Sequence, residues 1–162
     1  METGTVFYAK QGRTYVLKLV GELRYTQGEN FNAFLERLFQ RQDFDQILID
    51  LSGTESIDST MLGLLAKVAN FMRDRFQRKA ILVSTNENIS QLLDSLGFCE
   101  VFNVCEQPDT ETGALQPLSC ASTRTEDMAA TILEAHTILS EVKDSNKVLF
   151  RDVIDALKDS TG

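Results

Sequence analysis

An aspartate followed by two hydroxyl residues, Asp58-Ser59-Thr60, stands where the apolar run Ile47-Leu48-Ile49 gives way, through a short polar stretch, to a helical pattern. A hydroxyl at such a helix start lies among backbone N–H groups that lack intrahelical partners, at the positive end of the helix dipole. Phosphate on Ser59 would be tolerated there, and it would change the charge and shape that a partner meets. Asp and Ser also cap helices without further purpose, because their side-chain oxygens accept from those same N–H groups. Spacing by itself leaves both readings open.

Other residues with chemical potential are scattered. His136 is the single histidine and sits inside a predicted helix, while Ser119 and Cys120 belong to no recognisable nucleophile motif. No hydrolase triad is expected, His136 reads as a surface or packing residue, and the chain is not read as an enzyme. Asp43, Asp45, Asp50 and Asp58 lack the spacing of a calcium loop and suit turns and caps, so neither a metal nor another cofactor is expected. Cys99, Cys105 and Cys120 are odd in number and lack the close pairing of zinc or redox motifs, which points to reduced thiols.

The chain has 162 residues, 43% hydrophobic and 25% charged, enough for one ordinary soluble core without staples. Its formal charge of -8 is concentrated after Cys105, and the part before it is near neutral. Nucleic-acid binding needs a basic face to displace counterions, and neither part supplies one. No apolar run is long enough to cross a bilayer, and Met1 to Gly12 lacks the features of a secretory signal. A cytoplasmic protein without membrane partners is expected.

The elements that would position Ser59 follow from periodicity. Thr5 to Ala9 and Tyr15 to Val20 read as strands of a hairpin, and Glu29 to Arg41 as an amphipathic helix. Gln46 to Leu51 reads as a strand buried on both faces, and Ser59 to Phe76 as a second helix with Arg73 and Arg75 near the end that favours cations. Ala80 to Ser84 is a further buried strand, Asn88 to Leu96 a short helix stopped by Gly97, and Glu100 to Val104 a last strand. The alternation gives an α/β fold, with a central mixed sheet and amphipathic helices packed on it. Residues 1–105 form this core.

Residues 106–122 hold both prolines and no sustained period, and read as a linker or loop. Residues 123–162 then supply helices that pack on the core or extend it. Thr123 and Glu126 have capping-box spacing before a stripe of Met128, Ile132, Ala135, Leu139 and Val142, predicting a helix over Thr125 to Lys143. After Asp144-Ser145-Asn146, the spacing of Phe150, Val153, Ile154 and Leu157 predicts a short terminal helix. These stripes could cover the sheet or offer a docking surface.

The segment Asp58-Ser59-Thr60-Met61-Leu62-Gly63 resembles the D-S-[ST]-G-[LVM]-G element of bacterial STAS domains of the anti-sigma factor antagonist family. Gly21-Glu22-Leu23 is similar to that family's early G-E-L element, and Leu92-Leu93-Asp94-Ser95-Leu96-Gly97-Phe98 to its late helix ending in L-x-x-x-G-[LF]. The three occur in the family's order and span most of Thr5 to Val104. Met61 departs from the pattern, in which glycine is frequent, by setting a long flexible side chain beside the expected docking surface.

The resemblance implies a STAS fold and a protein that, unmodified, binds an anti-sigma factor and frees its sigma factor. A serine kinase would end that binding by phosphorylating Ser59, and a phosphatase would restore it. Ser59 matches the phosphoacceptor, Asp58 the preceding motif aspartate, and Thr60 a secondary acceptor, with Asp58, Ser59, Thr60, Met61 and Leu62 facing the partner. The pattern is also similar to antagonists that work with a response-regulator phosphatase in Gram-negative bacteria, where a flagellar anti-sigma factor and biofilm control are candidate outputs. A STAS subunit permanently assembled into a transporter or sensory scaffold is the alternative.

Overall fold

The computed structural model describes residues 4–107, 115–118 and 125–161. The Thr123 of the expected capping box and Cys120 lie outside them, and the side chain of Glu126 is not described.

β1 (Thr5–Gln11) and β2 (Thr14–Leu23) form the expected antiparallel hairpin, turning at Gly12 with φ of 61°. α1 (Gly28–Phe39) and β3 (Gln46–Asp50) follow, with β3 parallel to the first half of β2. The second half of β2 pairs in parallel with β4 (Thr54–Ile57), and the register shifts between Gly21 and Glu22. Gly21 has φ of 85°, a conformation glycine takes without steric cost, and its N–H donates to the Gly53 carbonyl. The early glycine of the G-E-L element therefore makes the bend by which one long strand serves two partners.

β4 forms within the short polar stretch before Asp58, where no strand is expected from the sequence. It lacks period-2 alternation, with Thr54 and Ile57 buried and Glu55 and Ser56 exposed, and it exists because β2 offers it an edge. The Thr54 hydroxyl donates to the Leu19 carbonyl at 2.6 Å and pins it there.

α2 (Ser59–Phe76) has the bounds expected for it, and β5 (Ile81–Val83) and α3 (Glu87–Ser95) lie where the pattern put them. The expected strand over Glu100 to Val104 is corrected to a helical turn, α4 (Phe98–Val101), and a shorter strand, β6 (Asn103–Cys105). Phe98 and Phe102 are both buried, their rings stacked with centroids 5.5 Å apart, and a spacing of four residues meets on one side only if the chain between them is helical. Within 106–122, read as a loop, β7 (Gln116–Pro117) adds an antiparallel edge beside β1. The sheet order is β6-β5-β3-β2-β1-β7, with β4 on β2.

Leu17, Leu19, Ile49 and Leu82 point to one face of the sheet and share a core with Phe31, Leu35, Leu62, Leu65, Ile89 and Leu93 of α1, α2 and α3. The opposite face presents Val16, Leu48 and Val83, against which Leu115 packs. β6 and β7 stand at the two edges of this sheet.

α5 (Thr125–Val142) and α6 (Asp144–Thr161) form an antiparallel hairpin. α6 begins at once after Lys143 and is as long as α5, so the expectation of a short terminal helix starting later is corrected. Asn146 lies inside it, buried, where its amide donates to the carbonyls of Leu96 and Leu139 at 3.0 Å each and ties the turn to the end of α3. α5 packs chiefly on α2 and more lightly on α1.

Candidate functional site

The start of α2 is fixed by Asp58. Its backbone N–H donates to the Leu23 carbonyl at 3.0 Å, continuing the β2–β4 ladder. Its carboxylate accepts from the N–H of Met61 at 3.0 Å through one oxygen and from the N–H of Tyr25 at 2.6 Å through the other. One side chain therefore caps α2 and also holds the loop that follows β2.

Ser59 is the first residue of α2 and is half-buried. Its hydroxyl lies 2.7 Å from Nε2 of His136, which reaches across from α5. Nδ1 of His136 lies 2.7 Å from the Ile132 carbonyl one turn earlier. A carbonyl can only accept, so in the neutral ring Nδ1 carries the hydrogen, Nε2 offers its lone pair, and Ser59 donates to it. His136 is 4% exposed, with the ring of Phe150 from α6 packed at 5.6 Å.

Of the surface or packing role expected for His136, the structure shows packing, and it adds a direct contact with Ser59. Only its position on the Ile132–Ala135–Leu139 side of a helix hinted at burial, and nothing in sequence separation said which serine it would meet.

Thr60, Met61 and Leu62 are buried. Met61 and Leu62 lie in the core, so the long side chain at the usual glycine position fills interior volume, and neither residue offers surface in this conformation. Thr60 is covered from another side: the position a Cβ would take on Gly28 lies 3.3 Å from the Thr60 methyl and 3.6 Å from that of Thr131 on α5. Ser59 is accordingly the more accessible of the two candidate hydroxyls.

α2 and α5 touch backbone to backbone. A Cβ on Gly63 would fall 2.0 Å from the Ala135 carbonyl oxygen, so only glycine permits the approach. One turn further on, Lys67 binds Asn32 and Glu36 of α1 and, at 2.7 Å, Glu134 of α5. The open rim of the site consists of Arg24, Tyr25, Thr26, Glu55 and Ser56, all exposed.

The remaining candidates have structural work. Asp43 pairs with Arg41 at 2.6 Å and Lys10 at 3.4 Å, Asp45 pairs with Arg13 and Arg78, and buried Asp50 accepts from the Ser52 N–H. Among the described residues no group of three or more His, Cys, Asp or Glu is placed to hold a metal ion, and no helix is long and apolar enough to cross a membrane.

Comparison with known proteins gives a match to the STAS domain family over residues 8–110. No curated protein sequence matches significantly. Among solved structures, the anti-sigma factor antagonist SpoIIAA in its unphosphorylated form aligns with a TM-score of 0.49 at 17% identity, covering 56% of this chain and 81% of that one. The family match over these residues includes the β2 bend at Gly21, the Asp58-Ser59 start of α2 and the α3 terminus at Gly97. The chain belongs to the STAS domain family.

Proposed function

We propose that the protein is an anti-sigma factor antagonist that works in the cytoplasm as a phosphorylation-controlled partner switch, and that it is a binding module and not an enzyme. Unmodified, it binds an anti-sigma factor and releases the sigma factor. A serine kinase ends the interaction by phosphorylating Ser59, and a serine phosphatase, carried in one version on a response regulator with a flagellar anti-sigma factor as partner, restores it.

The observation that carries this reading is the half-open Ser59 hydroxyl at the first position of an 18-residue helix, beside an exposed rim. A dianion there meets the positive end of the helix dipole, so the start of α2 itself tolerates it. The same dianion adds to the negative charge of Asp58 and of exposed Glu55 on the rim that a partner would contact. Like-charge contact across an interface costs several kcal/mol, enough to switch binding.

The test is phosphosite mapping by mass spectrometry on protein from its native cells, with partner capture by the wild type, Ser59→Ala and Ser59→Asp. Phosphate at Ser59, with capture kept by the alanine variant and lost by the aspartate variant, is the expected result. An unmodified Ser59 with equal capture by both variants would sink the switch.

One observation favours the alternative of a permanently assembled STAS subunit. On α6, Val148, Leu149 and Val153 are 68%, 63% and 41% exposed, an apolar strip of the kind that stable assembly covers.

A further inference from the structure

The α5–α6 hairpin sits on the proposed switch residue through a contact unlike the rest of the core. Of the buried residues that α5 contributes, Ala135 and Leu139 are apolar, whereas Thr131, His136 and Ser140 are polar. Its nearest approach to α2 is glycine against backbone, which buries little apolar surface. Beside the apolar contacts of Leu139 and Phe150, polar ties seat it: Lys67 to Glu134, Asn146 to the Leu96 carbonyl, and Ser59 to His136.

The last of these is incompatible with phosphate in either direction. A phosphoryl group replaces the hydroxyl hydrogen with a phosphorus and its oxygens. Turned inward, it needs the space that the imidazole occupies 2.7 Å away, with Phe150 and the Ile132 carbonyl closing the ring's other sides. Turned outward, it leaves Nε2 buried without its hydrogen-bond donor, a desolvated polar atom whose cost falls on the seating of α5.

Resting on the reading of Ser59 as a phosphoacceptor, we propose that the α5–α6 hairpin is a modification-sensing cover. Seated by Ser59–His136 while Ser59 is unmodified, it completes a docking surface made by the Tyr25 loop, the start of α2 and α5; phosphate at Ser59 unseats it and takes that surface apart. A local charge thereby becomes the displacement of a whole helical layer.

Phosphoserine can be installed at position 59 of the full chain by genetic encoding, without a kinase, and amide hydrogen exchange compared with the unmodified protein. Peptides from residues 131–157 are expected to exchange at least about tenfold faster, as for a subglobal opening, while β2 and β3 keep their rates. His136→Ala is expected to speed the same peptides by about fivefold, the loss of one hydrogen bond, and His136→Gln, which keeps an acceptor, to restore most of the protection.

Unchanged or slower exchange in 131–157 with phosphoserine would overturn the proposal, the slower result meaning that His136 clamps the phosphate. Equal acceleration across sheet and hairpin would overturn it too, as mere loss of fold stability. If the hairpin opens but Ser59 is never phosphorylated in cells, the device stands and the reading of function fails. If phosphorylation abolishes capture while the hairpin stays protected, the reading stands and the device fails.

Discussion

Asp58 serves two backbone N–H groups on different elements, so its loss is worth more than an ordinary cap. Asp58→Ala is expected to cost about 2 kcal/mol, the upper end of the range for capping residues, whereas Asp58→Asn keeps an oxygen for one of the two donors and should cost less. Urea unfolding of the three proteins checks the order. Asp43 offers a test by titration. The Arg41 hydrogen bond first, and then the charges of Arg41 and Lys10, hold its carboxyl at about 2 against an ordinary 3.8, although partial burial opposes them. A depressed folded-state value means that the contribution is fully present above the ordinary value and is lost as pH falls through about 2. Carbon-13 NMR of the Asp43 carboxyl should show its midpoint near 2, and Arg41→Gln should bring it back toward 3.8. At this scale the residue types were legible: an aspartate and a serine at a helix start announce a cap. The partner of Ser59 was not, because His136 is 77 residues away and the meeting depends on how α5 crosses α2.

The elements show why Gly63 matters beyond its place in a family motif. It is the fifth residue of α2, inside the helix, where glycine is intrinsically costly, and the cost is offset because the Ala135 carbonyl lies where a side chain would be. Gly63→Ala should improve helix propensity and still destabilise the protein by about 1 to 3 kcal/mol through overpacking. Hydrogen exchange should locate the damage in α5 and α6, and protection lost first in α3 and β5 would count against this account. Strands show the opposite kind of dependence. β3 and β5 were readable because buried β-branched runs have few other uses, whereas β4 was hidden because Thr54-Glu55-Ser56-Ile57 carries no strand pattern of its own. Its conformation is lent by β2, and β2 can lend it only because Gly21 bends.

For the whole molecule, the sheet and the helices form one continuous apolar core that reaches Ala135, Leu139 and Phe150 of the C-terminal hairpin, while the other buried residues of α5, Thr131, His136 and Ser140, are polar. Unfolding should therefore begin at α6, whose outer face carries exposed Val148, Leu149 and Val153. Leu149→Glu tests what that strip is for. Because the side chain is 63% exposed, the variant should change stability by no more than about 0.5 kcal/mol. Loss of a co-purifying complex in that variant would support permanent assembly, whereas a complex that survives it would leave the strip as ordinary surface.

The amino-acid sequence determined the α/β order, the bounds of α2 and the placing of Ser59 at its start, since these depend on local period, caps and breakers that neighbouring residues set. It also carried the three short elements by which the chain is similar to STAS domains. Tertiary structure alone decided that Met61 and Leu62 face inward, that β4 and β7 are strands, and that His136 meets Ser59 beneath a helical hairpin. Each of these rests on contacts between residues far apart in the chain, and an amphipathic stripe states that a face will be buried without stating against what.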